Sequence, residues 1–322
     1  MGAGVLFALA AGLMWGLVFV APLLLPDYPA ALLSFGRYLA FGLVALPLAW
    51  WDRARLAALQ RTDWIEAAKL AVVGNLLYYL LLASSIQRAG APLPTMIIGT
   101  LPVVIAVTSN LRDHPRDGRL PWLRLLPSLA LIGAGIALVN RVEIAQLRAG
   151  ADADVARYAS GALLALGAVA CWTWYPIRNA EWLRAHPDRS PRGWATAQGL
   201  ATLPLALLGY ALTWAWFAAS GVDFAMPFGP RPWFFVALMA AIGLLASWLG
   251  TLCWNEASQR LPPTIAGQLI VFETLSALAY AFVLRGHWPA TPTLAGIVLL
   301  VAGVLWALRS GTGPEAAEAH PN

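Results

Sequence analysis

The chain has 322 residues, of which 60% are hydrophobic and 11% charged, and its mean hydropathy is +0.67. Soluble domains hold about 45–50% apolar and about 25% charged residues, so a water-soluble globule of this length could not hide so much apolar side chain, and intrinsic disorder is excluded on the same ground. The formal charge of +5 and the pI of about 9.6 come from arginines scattered among short connections beside a single lysine, Lys69, which fits membrane orientation and not nucleic-acid binding.

A spanning helix needs about 20 apolar residues. Runs of that order lie at Ala3–Leu24, Ala30–Trp50, Ile65–Ile86, Ala91–Asn110, Trp122–Asn140, Ser160–Ile177, Trp194–Trp216, Pro232–Asn255, Pro263–Leu284 and Thr291–Leu308. The expectation is an all-α membrane protein of ten transmembrane helices. No Lys or Arg precedes Arg37, so the first run lacks the basic start of a cleaved leader and reads as a span. Connections are short and marked by Pro or Gly, as in Pro26-Asp27-Tyr28-Pro29 and Gly286-His287-Trp288-Pro289. Residues 311–322 form a polar C-terminal tail.

With the N-terminus inside, the inner connections carry Arg53, Arg55, Arg61, Arg112, Arg116, Arg119, Arg178, Arg184, Arg189, Arg192, Arg260 and Arg309, twelve in all. The outer ones carry six: Arg88, Arg141, Arg148, Arg157, Arg231 and Arg285. Both termini are therefore expected in the cytoplasm. Trp50, Trp51, Trp64, Trp122 and Trp194 fall at inner ends and Trp214, Trp216, Trp233 and Trp288 at outer ends, as an aromatic belt requires.

The two halves, residues 1–150 and 151–310, echo each other. Gly4 to Trp15 matches Gly161 to Trp172 at a constant offset of 157, sharing Gly, Leu, Ala, Leu, Ala and Trp. Gln87-Arg88 recurs as Gln259-Arg260, Pro94-Thr95 as Pro263-Thr264, and Ala134-Gly135 as Ala302-Gly303. With five spans in each copy, the second enters the bilayer from the opposite side. Two such inverted repeats around a central cavity are a transporter plan, with the substrate near the midplane.

Trp15-Gly16, Pro94-Thr95 with Pro102, and the Gly-rich fifth and tenth spans resemble the EamA branch of the drug/metabolite transporter superfamily. Within it the chain looks most like the YddG-type bacterial amino-acid exporters. Asn110-Leu-Arg and Leu284-Arg-Gly stand where many EamA proteins carry a Gly-Glu pair. The resemblance implies a basket-shaped helix bundle in the bacterial inner membrane that exports amino acids, aromatic ones included.

Few residues could do chemistry. His114, His186, His287 and His320 all fall in connections or the tail, and neither H-E-x-x-H nor G-x-S-x-G occurs. No enzyme activity, metal or cofactor is expected. Lys69 with Glu66 at i−3 reads as an interfacial pair. Arg37 and Glu273 lie deep within spans two and nine, where charges are costly and face protein or water. Glu273 is either a neutral carboxyl bonded to Ser276 or Tyr280, or a partner for Arg37 or a substrate amine. A permanent pair with Arg37 could not cycle a proton, so facilitated export down the solute gradient is the expectation.

The stripe Gly4, Ala8, Gly12, Gly16 is expected to pack helices closely. Asn75, Tyr78, Tyr79, Leu82 and Ser85 share one face of span three; Ser247, Thr251, Trp254 and Ser258 share one face of span eight. With Trp15, Trp172, Trp174 and Tyr175, and with Asn255 and Gln268, they form the candidate substrate lining: aromatic faces plus hydroxyls and amides for amphipathic solutes. The partners expected are the bilayer and small molecules such as amino acids; a homo-oligomer is left open. On the same fold the cargo could instead be a nucleotide sugar, a sugar phosphate or a cationic drug, although phosphate would want more than one deep cation.

Overall fold

The computed structural model describes residues 2–89, 94, 97–112, 122–148, 155–286, 288 and 291–310. Thr95, His114, Arg116, Arg119, His287, His320 and the tail from residue 311 lie outside the described residues, as do the side chains of Arg148, Thr264 and Arg285.

The described residues of each apolar run are largely helical. The helices are α1 (Gly2–Leu24), α2 (Ala30–Trp51), a short α3 (Arg53–Ala57), α4 (Arg61–Ala89), α5 (Leu101–Leu111) and α6 (Trp122–Arg148). There follow α7 (Val155–Ala185), α8 (Pro191–Ser220), α9 (Pro232–Arg260), α10 (Pro263–Leu269), α11 (Val271–Arg285) and α12 (Thr291–Ser310). Prolines at the first turn of α8 and α9 start those helices where a missing N–H costs nothing, and the Ser190 hydroxyl accepts from Gly193 N to cap α8.

Seven spans, not ten, are long and apolar enough among the described residues to cross a membrane: α1, α2, α4, α7, α8, α9, and Ile265–Leu284 within α10 and α11. This corrects the ten-span expectation. The physical reason is the length of each apolar part. In α6 the described apolar stretch is Leu125–Leu138. At about 1.5 Å per residue that is about 21 Å, short of the ~30 Å hydrocarbon layer. α5 has 11 residues, and the apolar stretch of α12 is Thr291–Trp306.

Every major packing pair joins the first half to the second: α1 with α9 and α11, α2 with α8, α4 with α7, α5 with α10, and α6 with α12. The small-residue stripe works as expected, since a Cβ on Gly16 would come within 2.7 Å of Ser276 Cβ on α11. The outer surface is apolar, and several polar groups are buried within the largely apolar core. Leu6, Leu163, Leu212 and Val283 face outward while Arg37, Asn179, Gln198 and Glu273 are buried. Trp50, Trp51, Trp233 and Trp288 are exposed, whereas Trp194 is buried.

Both α4 and α9 widen into π-helix, at Ala71–Leu77 and Gly243–Leu249. The two segments lie 172 residues apart, the spacing that separates Gln87-Arg88 from Gln259-Arg260. Such insertions are frequent at functional sites.

Candidate functional site

The π segments adjoin a column of aromatic rings drawn from α1, α4, α7 and α9. Trp172 is its centre. Its ring lies 4.5 Å from Tyr78 and 5.1 Å from Tyr175, stacked on both, and 5.0 Å from Trp15, edge-on. Trp15 in turn tilts against Trp254 at 5.2 Å. Close approach makes the column possible: a Cβ on Gly74, inside the π segment of α4, would strike the Tyr175 ring at 2.0 Å. Ring pairs of this kind contribute about 0.5–1.5 kcal/mol each beyond area burial.

Two charges border the column. Arg37, on α2, donates from Nε to Ser247 Oγ at 3.0 Å, and its guanidinium lies 4.7 Å from the centres of both the Tyr38 and the Tyr79 rings. Desolvated cation–π contacts of this kind reach about 2 kcal/mol. Its NH1 is buried without a hydrogen-bond partner. Glu273, on α11, accepts from Trp172 Nε1 at 3.3 Å. The expected partners are taken elsewhere, Ser276 by Phe272 O and Tyr280 by Leu13 O. No ion pair joins Glu273 to Arg37, although the two are within electrostatic range.

Polar side chains extend the site toward the end where α2 finishes and α4 begins. Tyr175 donates to Gln198 Oε1 at 2.8 Å. Gln198 donates to Asn179 Oδ1, which also takes Trp194 Nε1; Asn179 Nδ2 donates to Asn255 at 2.8 Å. Asn75 donates to Thr202, whose hydroxyl caps Gln198 O. All these groups are buried, where unpaired amides would be costly.

The structure thus brings together Trp15, Tyr78, Trp172, Tyr175 and Trp254 as the ring column, and Asn75, Thr251 and Asn255 as its amide and hydroxyl flank. Tyr79 faces Arg37 and donates to Val18 O. Gln268 turns instead to α6, accepting from Ser128 at 2.8 Å. The rings touch one another where an open, wet lining was expected. Sequence reasoning missed Tyr38, Asn179, Gln198 and Thr202. Gln198 was detectable as a lone amide inside the apolar run Trp194–Trp216; Asn179 was hidden because the sixth run was ended at Ile177, whereas α7 continues to Ala185.

A polytopic helical bundle with buried charges and an aromatic-polar centre defines a membrane transporter of small molecules. The profile of the EamA-like transporter family matches residues 2–141. The inner membrane protein YtfF of Escherichia coli (strain K12) is 58% identical over 308 residues, 95% of each chain. The chain therefore belongs to the EamA family of the drug/metabolite transporter superfamily, whose members are transporters and not enzymes. Like that relative it is a multi-pass protein of a bacterial inner membrane. The relative found is YtfF, which corrects the finer likeness to YddG-type exporters. A protein chain of known crystal structure shares the fold at TM-score 0.69 and 18% identity, covering 95% of this chain and 96% of its own.

Proposed function

We propose that the protein exports amino acids, aromatic and other neutral ones, and similar small metabolites from the cytoplasm by alternating access. The carrying observation is the ring column of Trp15, Tyr78, Trp172, Tyr175 and Trp254 flanked by buried amides and hydroxyls. Rings offer apolar faces to a side chain, and the polar flank fixes orientation, the division of labour of a small-molecule site. A nucleotide-sugar or sugar-phosphate cargo fits less well, because Arg37 is the one deep cation beside the rings.

The halves 1–150 and 151–310 serve as inverted repeats in this reading. Support comes from the π segments 172 residues apart and from the reciprocal pairing of α1 with α9 and α4 with α7. The arginine excess puts both termini in the cytoplasm. The test is flux of radiolabelled L-tryptophan and L-alanine from proteoliposomes of the purified chain. Flux above empty liposomes, competed by unlabelled amino acids and not by UDP-sugars, supports export of amino acids; flux of the sugar nucleotide alone would replace it.

A further inference from the structure

We propose that Arg37 and Glu273 are the two poles of a zwitterion site, Arg37 NH1 taking the carboxylate of a free amino acid and Glu273 its ammonium. The inference rests on the amino-acid reading above and deepens it by assigning the residues that recognise the α-carbon groups.

Four observations carry it. Arg37 is 3% exposed, its Nε is committed to Ser247, and its NH1 has no partner. An orphaned N–H on a buried cation is costly and calls for an anion. Glu273, 2% exposed, holds a single hydrogen bond, from Trp172, and no cation in contact among the described residues. The two charges have opposite signs and lie within electrostatic range of each other, yet form no ion pair. Tyr78 lies within electrostatic range of both charges, and its hydroxyl is also buried and unpartnered.

A molecule that carries both charges on one carbon satisfies the two poles together. A singly charged molecule leaves one buried charge without its partner. The rings of Tyr78, Trp172 and Trp15 then receive the side chain, and Trp254 Nε1, buried and without a partner, is a further donor. Since these rings touch in the structure, binding opens the Trp15–Trp172 contact. The guanidinium, held between the Tyr38 and Tyr79 faces, is oriented before any ligand arrives.

The test is binding of tritiated L-tryptophan to the full chain in nanodiscs, competed by tryptamine, which lacks the carboxylate, and by indole-3-propionate, which lacks the amine. Both analogues should bind the wild-type protein at least about tenfold more weakly than L-tryptophan, as expected when a site built for a polar group meets a ligand lacking it. In Arg37→Gln, L-tryptophan should fall to the level of tryptamine, with tryptamine itself little changed. In Glu273→Gln it should fall to the level of indole-3-propionate. Thermal melts check folding; should Arg37→Gln fail to fold, Arg37→Lys and the Glu273→Gln arm decide. A wild-type protein that takes either analogue as tightly as L-tryptophan, or variants that weaken all three ligands equally, would overturn the zwitterion site. If export of L-tryptophan persists in that case, the transport reading survives alone; if the folded wild type neither binds nor moves any amino acid, both fall.

Discussion

Where α2 ends and α4 begins, acids of the first half grip arginines of the second. Asp52, fully buried, accepts from Arg192 Nε at 3.2 Å, from Thr196 at 2.9 Å and from Arg55. Glu66 holds Arg178 as well as Lys69, and Glu181 ties Arg178 to Arg112, just past the end of α5. Asp63 accepts from Trp182 Nε1, whose ring stacks on Trp194 at 3.5 Å. At the opposite end, where α1 and α8 finish, an Asp27–Arg231 pair sits in solvent with both partners nearly half exposed. Two clefts open there, of about 790 and about 770 Å³, sharing Gln87 and Arg157 in their walls. One end is latched by several ionic contacts between the halves, made on buried acids, and the other is joined by a single exposed pair among the described residues. Under the proposed orientation the latched end is cytoplasmic, so the structure is closed on the side from which an exporter loads.

The largest expected effect comes from cutting the latch. Asp52→Ala should destabilise the protein by about 1–2 kcal/mol, because it removes a fully buried acceptor shared by Arg192, Arg55 and Thr196. Asp27→Ala should cost about 0.5 kcal/mol or less, since exposed pairs contribute little. Thermal unfolding in detergent measures both. Equal losses would mean that the two ends hold the halves equally.

Access should differ in the same sense. In a Cys171→Ala, Cys253→Ala background, a thiol at Ser84, which lines the 790 Å³ cleft, should react with a polar maleimide at least about tenfold faster than one at Thr196 beside Asp52. Adding Asp52→Ala should narrow that ratio. A fast Thr196→Cys in the otherwise intact latch would show that this end is open.

Between the ends lies the ring column, through which any alternation must pass. Tyr78→Ala removes the Trp172 stack and Trp15→Ala removes contacts to Trp172 and Trp254. Each should lower amino-acid flux about five- to tenfold while the protein still inserts and folds. Unchanged flux in both would make the column a packing element, leaving the comparison of the two ends without a substrate path between them.

Local signals in the sequence reached some of this and not the rest. α2 begins at Ala30 as expected because Pro29 sets its start, and the polar faces at Tyr78 and Thr251 follow from helical spacing alone. The tally of spans went too far at α5, α6 and α12, whose described apolar stretches, such as Leu125–Leu138, fall short of the thickness of the hydrocarbon layer. The Lys69–Glu66 pair was legible at i−3, but Arg178, 112 residues further on, binds Glu66 more closely. Trp172 as the partner of Glu273, and Asn179 as the hub for Asn255, Trp194 and Gln198, are contacts made by pairing distant helices, which no local periodicity records.

The smallest expected effect is the response to a proton gradient. Coupling requires an acid that meets one side of the membrane, then the other, and changes protonation in between. Asp52, Asp63 and Glu66 are held in the latch by arginine, hydroxyl and indole donors, which leaves Glu273 as the acid beside the rings. Glu273 is buried, carries the Trp172 hydrogen bond and, as the ammonium pole proposed above, is engaged by cargo during loading. A group that holds cargo need not carry a proton for transport to run down the solute gradient. Wild-type flux in proteoliposomes should therefore change by less than about twofold when a pH gradient is imposed, and Glu273→Gln should lower the flux without altering that insensitivity. Wild-type flux that rises with the gradient, together with a Glu273→Gln protein that no longer responds, would make Glu273 the coupling site.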